Sequence, residues 1–271
     1  MLFFSIKEAY MQQKIRISAG YYFVRICLGL SLGIYLRWHC WRRHLIVNGW
    51  KNIPRYGRMM IYGNHPSMMD PLVIISILIC SRLSLIFKPW ALLKTLAAAE
   101  NFAPKNCRRL PVIGKIPILR DKPILKMITE KECIFIDEGR KDFKALIRAC
   151  GWMDRYGSLL IFPEGGRTKV NPGGVDEFRE GIGVIAYKAN PRWILPIRIL
   201  GAEKVLPKGQ DWPDWKKGPI TINIGKPFTL EDLRLKHQGL RELFAHGDKL
   251  KSSLIYAPLT KLLREKLLEL Q

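Results

Sequence analysis

Acidic residues are scarce in this sequence. Only 23 of its 271 residues are Asp or Glu, against 45 Lys or Arg, so the formal net charge is +22. That imbalance points to an anionic partner: nucleic acid, an anionic membrane surface or a phosphorylated small molecule. An acidic protein partner fits less well. Paired cysteines are also lacking. The six present (Cys27, Cys40, Cys80, Cys107, Cys133, Cys150) stand 13 or more residues apart, with no CxxC and no His/Cys cluster at zinc spacing. This excludes a small disulfide scaffold and speaks against a structural metal site, and the thiols read as reduced and buried. Internal repeats and low-complexity linkers are missing too, which removes solenoids and multidomain arrays. What remains is ordinary globular composition, 48% hydrophobic and 25% charged, in a chain long enough to bury roughly three quarters of its extended surface.

The longest N-terminal apolar run, Tyr21–Leu36, is 16 residues, short of the ~20 that span a bilayer. Its surroundings are basic. Residues 1–58 carry ten Lys or Arg and one acid, Glu8. Directly after the run comes Arg37-Trp38-His39-Cys40-Trp41-Arg42-Arg43-His44, which pairs amphipathic rings with cations, as a segment at the headgroup level requires. Three readings fit: a buried core helix with a basic face, a helix lying in the membrane interface, and a spanning helix. The Trp–Arg pattern favours the interfacial one. A cleaved signal peptide fits poorly, since bulky Arg37-Trp38 occupies the place of small cleavage-site residues.

From about residue 45, short apolar runs alternate with helical stretches. Strands are expected at Met59–Tyr62, Leu83–Phe87, Cys133–Ile136, Ser158–Phe162, Trp193–Leu200 and Ile220–Ile224. Helices are expected at Pro71–Cys80, which opens on a proline suited to a first turn, and at Asp137–Trp152, where Phe143, Leu146, Ile147 and Cys150 recur at helical spacing. Two more are expected at Gly183–Lys188 and over Leu240–Leu270, whose inward stripe would be Leu250, Leu254, Leu263, Leu267 and Leu270. The alternation implies a single α/β domain, residues 46–271, with a mixed, largely buried sheet flanked by helices. A membrane-associated helical segment, residues 1–45, precedes it.

Two motifs stand at strand ends. In Asn64-His65-Pro66-Ser67-Met68-Met69-Asp70, His65 and Asp70 would lie about 140° apart on one continuous helix and could not meet. A turn through Pro66, with the helix starting later, brings the carboxylate back to the ring. Asp70 could then accept from Nδ1, fix the tautomer and leave Nε2 as a base, a role that free imidazole, with a pKa of ~6.5, is poised to play at neutral pH. A helix-capping or core histidine fits this motif, taken alone, as readily. In Phe162-Pro163-Glu164-Gly165-Gly166-Arg167-Thr168, two glycines let backbone approach a ligand, and Arg167 offers a planar fork for phosphate. A plain strand-to-loop turn with a surface arginine fits that motif equally.

The order of these blocks, followed by Phe178-Arg179-Glu180-Gly181 and Ile194-Leu195-Pro196-Ile197, resembles the glycerolipid acyltransferase family, the type that acylates lysophosphatidic acid. The resemblance runs from about Val47 to Leu200. It implies that His65 is the general base on the acceptor hydroxyl and that Asp70 orients it. It implies attack on an acyl-CoA or acyl-carrier-protein thioester without a protein nucleophile, a metal or another cofactor. Glu164, Gly165 and Arg167 would bind the acceptor head, and Pro196 would lie near the acyl donor. The sequence departs from the usual FPEGTRS at Gly166 and Thr168. The family's intermediate block, usually GxIFIDR, has two candidates here. Its spacing from Phe162 favours Ile134–Arg140, with Arg140 as the phosphate cation, over Gly114–Arg120, with Arg120 in reserve. The implied partners are a lysophospholipid acceptor, a thioester donor and an anionic membrane surface facing the cytoplasm, with no nucleic acid. The altered block leaves another lysolipid, a glycolipid or glycerol 3-phosphate open as acceptor, and a non-enzymatic basic membrane-binding protein stands as the alternative of another class.

Overall fold

The structure, a computed structural model, describes residues 19–81, 93–98, 132–136, 142–155, 157–169, 173–245 and 253–270. In chain order the elements are α1 (Ala19–Trp41), β1 (Leu45–Asn48), β2 (Met59–Gly63), α2 (Asp70–Ser81), β3 (Leu93–Ala98), β4 (Cys133–Ile136), α3 (Phe143–Arg155) and β5 (Ser158–Ile161). They continue with α4 (Gly181–Ala189), β6 (Trp193–Leu200), α5 (Ala202–Val205), β7 (Ile220–Ile224), α6 (Leu230–Lys236), α7 (Gln238–Ala245) and α8 (Ser253–Leu268). Short 3-10 turns lie at Trp50–Asn52 and Trp215–Lys217.

The strands form one mixed sheet in the order β1-β7-β6-β2-β5-β3-β4. Every neighbouring pair is parallel except β6 and β7. Parallel strands need cover on both faces and therefore read as unbroken apolar runs. The central strands obey this: all of Met59–Gly63 and all of Ser158–Ile161 are buried. Side chains alternate across the sheet. Met60, Tyr62, Leu159 and Ile161 join α3, α4 and α8 in one core. Met59, Ile61 and Leu160 face the other way, into a core with α2, α5 and Leu36 of α1.

The strands expected at Cys133–Ile136, Trp193–Leu200 and Ile220–Ile224 form with those bounds, and Met59–Tyr62 extends by one residue to Gly63. The one expected at Leu83–Phe87 lies outside the described residues. The C-terminal region forms two described helices, and the inward stripe of α8 is Ile255, Leu259, Leu263 and Leu267. Leu254, expected on that stripe, is exposed because it sits one residue, and so ~100°, off it. Phe143 likewise faces solvent at the first position of α3, while Ile147 and Cys150 face the core.

Helix α1 is longer than the apolar run that marks it. It spans 23 residues, or about 34 Å at 1.5 Å per residue. That is enough to cross the seven described strands of the sheet, whose six gaps of ~4.8 Å sum to about 29 Å. Its two ends are pinned at opposite edges. Near the start, the Tyr21 hydroxyl donates to Glu132, just before edge strand β4, and Arg25 Nε bonds the same carboxylate at 3.0 Å. Near the end, buried His39 packs against Trp215 at a tilt, with ring centroids 3.9 Å apart, and meets His44, just before edge strand β1, at 3.2 Å between Nδ1 atoms. Burial, with His44 beside it, lowers the His39 pKa to about 4, so the His39 ring is neutral in this contact. Between the pins α1 packs on α2, where Cys80 Sγ lies 3.7 Å from the Gly33 carbonyl. The opposite side of α1 exposes Phe23, Leu30, Ile34, Trp38 and Trp41, a stripe at helical spacing. Among the described residues no helix is long and apolar enough to cross a membrane.

Candidate active site

Both motifs leave the sheet at the C-terminal ends of adjacent parallel strands. Tyr62 of β2 is level with Ile161 of β5, so the loops that follow emerge side by side despite the sequence between them. This is where ligands bind in open α/β sheets. Gly63 allows β2 to end against β6, since a Cβ there would stand 2.4 Å from the Ile197 carbonyl oxygen.

Each polar side chain of the first loop has a structural partner. Asn64, fully buried, bonds the backbone of Ile199 twice, Nδ2 donating to the carbonyl and Oδ1 accepting from the N–H, both at 2.8 Å. Buried Ser67 donates to the Leu206 carbonyl at 3.0 Å. The chain turns through Pro66, and α2 begins only at Asp70. The turn returns Asp70 Oδ2 to 2.9 Å from His65 Nδ1 and 2.7 Å from the Ser67 N–H. Oδ2 already accepts from a backbone donor, so the proton on the histidine contact belongs to Nδ1. Nε2 is then left with a free lone pair. Burial raises the Asp70 pKa, and the His65 contact and the Ser67 N–H oppose the rise. The imidazole also stacks on Phe162 of the second motif, with centroids 4.3 Å apart.

The second loop is built differently. Gly165 takes a left-handed φ of +69°, where a side chain would be strained. Arg179, from the Phe178–Gly181 block, closes the loop by donating to the Gly165 carbonyl at 3.1 Å through Nη2 and to the Pro163 carbonyl at 2.8 Å through its backbone N–H. Glu164 Oε2 accepts from the Thr168 hydroxyl at 2.5 Å, while Oε1 is buried with no partner among the described residues. Burial and nearby Asp176 push the Glu164 pKa up to about 7, although the Thr168 bond and His65 favour its charged form. Arg167, half-buried, makes no hydrogen bond or ion pair with another described residue, so its fork is available to an anion.

The structure therefore gathers His65, Asp70, Glu164, Gly165 and Arg167 at one end of the sheet. Pro196 is buried within β6, level with Tyr62, and its carbonyl accepts from the Gly225 N–H at 3.0 Å. Arg120 and Arg140 lie outside the described residues. Asn64, Phe162 and Thr168 have structural roles that the motifs alone did not assign. For Asn64 the available signal was a polar residue directly after a strand buried on both faces.

A histidine-bearing loop and a glycine-turned, arginine-bearing loop thus emerge side by side at one end of the sheet. The family model described as Acyltransferase matches residues 44–200, more than half of the chain, and the protein belongs to that family. No curated protein matches it in sequence. Among solved structures it is similar to the crystal structure of the 1-acyl-sn-glycerophosphate (LPA) acyltransferase PlsC from Thermotoga maritima. The TM-score is 0.52 at 20% sequence identity, over 83% of this chain and 77% of that one. At that identity the likeness concerns the fold.

Proposed function

We propose that the protein transfers a fatty acyl group from an acyl-CoA or acyl-carrier-protein thioester to the free hydroxyl of 1-acyl-glycerol-3-phosphate, forming phosphatidic acid. The observation that carries this reading is the 2.9 Å contact between His65 Nδ1 and buried Asp70 beside the glycine-turned loop. Nε2 takes the proton of the acceptor hydroxyl as its oxygen attacks the thioester carbonyl. The new C–O bond forms, the C–S bond breaks, and the departing thiolate takes the proton back from the imidazolium. Asp70 fixes the tautomer and stabilises the imidazolium while it exists. The reaction needs no protein nucleophile and no cofactor beyond the donor. Arg167, with Arg140 or Arg120, holds the acceptor phosphate, Glu164 and Gly165 shape its head-group site, and Pro196 lies toward the donor. The similarity to an LPA acyltransferase supports this acceptor.

The enzyme works at an anionic membrane surface on the cytoplasmic side. The exposed stripe of α1, with Arg37, Arg42 and Arg43 at its end, lies in the headgroup region. The test is acyl transfer by purified protein in vesicles of zwitterionic and anionic phospholipid, comparing lysophosphatidic acid with lysophospholipids that lack the phosphomonoester. Transfer to lysophosphatidic acid that falls by ~10²–10⁴-fold in His65→Ala is expected. Transfer only to another lysolipid would discard the phosphate assignment. Undiminished transfer in the variant would sink the mechanism.

A further inference from the structure

Asp70 and Phe162 hold the His65 ring, but its main chain is held by a residue from the other motif. The His65 N–H donates to Thr168 Oγ1 at 3.2 Å, and the Thr168 N–H donates to the His65 carbonyl at 2.9 Å. Both backbone polar groups of the histidine are thus bonded to one residue 103 positions away. The hydroxyl has a single proton. Because Oγ1 accepts from His65, that proton goes to Glu164 Oε2, 2.5 Å away. The result is one connected path from the carboxylate of the second loop, through Thr168 Oγ1, to the main chain of the first.

We propose that Thr168 is a positioning residue for acyl transfer, holding the main chain of His65 in register with the loop that carries Glu164. The proposal rests on the reading of His65 as the base. If the two loops are keyed to each other here, the base keeps its distance from an acceptor held by the second loop, and that distance governs the chemical step. Thr168 acts on kcat rather than on the affinity for the thioester.

Thr168→Val keeps the shape and the backbone N–H but deletes the hydroxyl. The expected result is a fall in kcat of about 10- to 100-fold, with KM for the thioester within about twofold of wild type. Thr168→Ser restores the hydroxyl and should recover kcat to within about threefold. A pH titration supplies a readout that a merely structural residue would not move. The charged groups acting on Glu164 are His65 and Asp176. Loss of the Thr168 bond leaves burial and Asp176 less opposed, so Glu164 gives up its proton at higher pH, and the titration of its carboxyl, followed by NMR, moves upward. Equal kcat in wild type and Thr168→Val, with His65→Ala inactive, would overturn the proposal and leave the base intact. If Thr168→Val does not fold, Thr168→Ala against Thr168→Ser decides, and equal turnover in that pair overturns it. Activity that survives in His65→Ala would remove the underlying reading and this proposal with it.

Discussion

The loops that follow β2 and β5 are neighbours, yet they use their polar atoms in opposite ways. After β2, Asn64, Ser67 and Asp70 are all buried, and each is bonded to backbone or to a neighbouring side chain within the domain. After β5, residues 164–168 are half-buried, a glycine turns the chain, and Arg167 is unpaired among the described residues. The two carboxylates differ in degree: each keeps one buried oxygen without a partner among the described residues, and each has another carboxylate raising its pKa, Glu203 for Asp70 and Asp176 for Glu164, but Asp70 gathers both the His65 ring and the Ser67 N–H on its other oxygen. A group that must act on a reacting atom needs a fixed direction, and closed hydrogen bonding provides it. A group that must receive a ligand needs atoms still open to a new bond. The first loop is built for orientation and the second for reception.

Three substitutions test that division, beginning with the largest effect. Asp70→Asn should lower turnover by about 10²- to 10⁴-fold, because the neutral amide neither fixes the histidine tautomer nor stabilises its cation. It should leave the melting temperature nearly unchanged, since it removes a desolvated carboxylate rather than packing. Steady-state kinetics beside a thermal melt would show the split, and a matching loss in both would make Asp70 merely structural. Asn64→Ala strands the N–H and carbonyl of Ile199, each at a cost of about 1–3 kcal/mol. A lowered denaturant midpoint is expected, and an unchanged one would mean that β6 does not depend on this tether. Arg167→Ala should raise KM for a phosphorylated acceptor about tenfold, the worth of one charge-assisted hydrogen bond of ~1.5 kcal/mol. Neither kcat nor stability should follow it. A fall in stability would show that Arg167 is tied into the domain just as the polar side chains of the first loop are.

Much of this was legible in the sequence where local chemistry decides. Apolar runs stopped by Gly63 and Pro163 mark strands because glycine and proline interrupt the chain wherever they fall. The approach of Asp70 to His65 was legible for the same reason, through Pro66. Strand β3 was not, because Leu93-Lys94-Thr95-Leu96-Ala97-Ala98 has little β preference of its own and is held between β5 and β4 by pairing. The full reach of α1 was hidden because Arg37-Trp38 ends the apolar run while the helix continues to Trp41. In the site, the bonds from Asn64 to Ile199 and from His65 to Thr168 join residues more than one hundred positions apart. No local pattern announces such partners, since strand order alone creates them.

The edge-to-edge course of α1 also bears on the order in which the protein can assemble as it is made. The centre of the sheet is within reach early, for β2, β3 and β5 can pair once residue 161 has been translated. Glu132 is available to Tyr21 as early, but β1 and the carboxyl-terminal end of α1 must wait: Asn48 finds Asn223 across 175 positions, and His39 meets Trp215. Pairings so distant are slow to form. A nascent chain halted before residue 220 would carry both motif loops, yet β1 would have no strand beside it and the carboxyl-terminal end of α1 no finished edge to rest on. The first described helix, α1, is thus among the last elements to be fully seated.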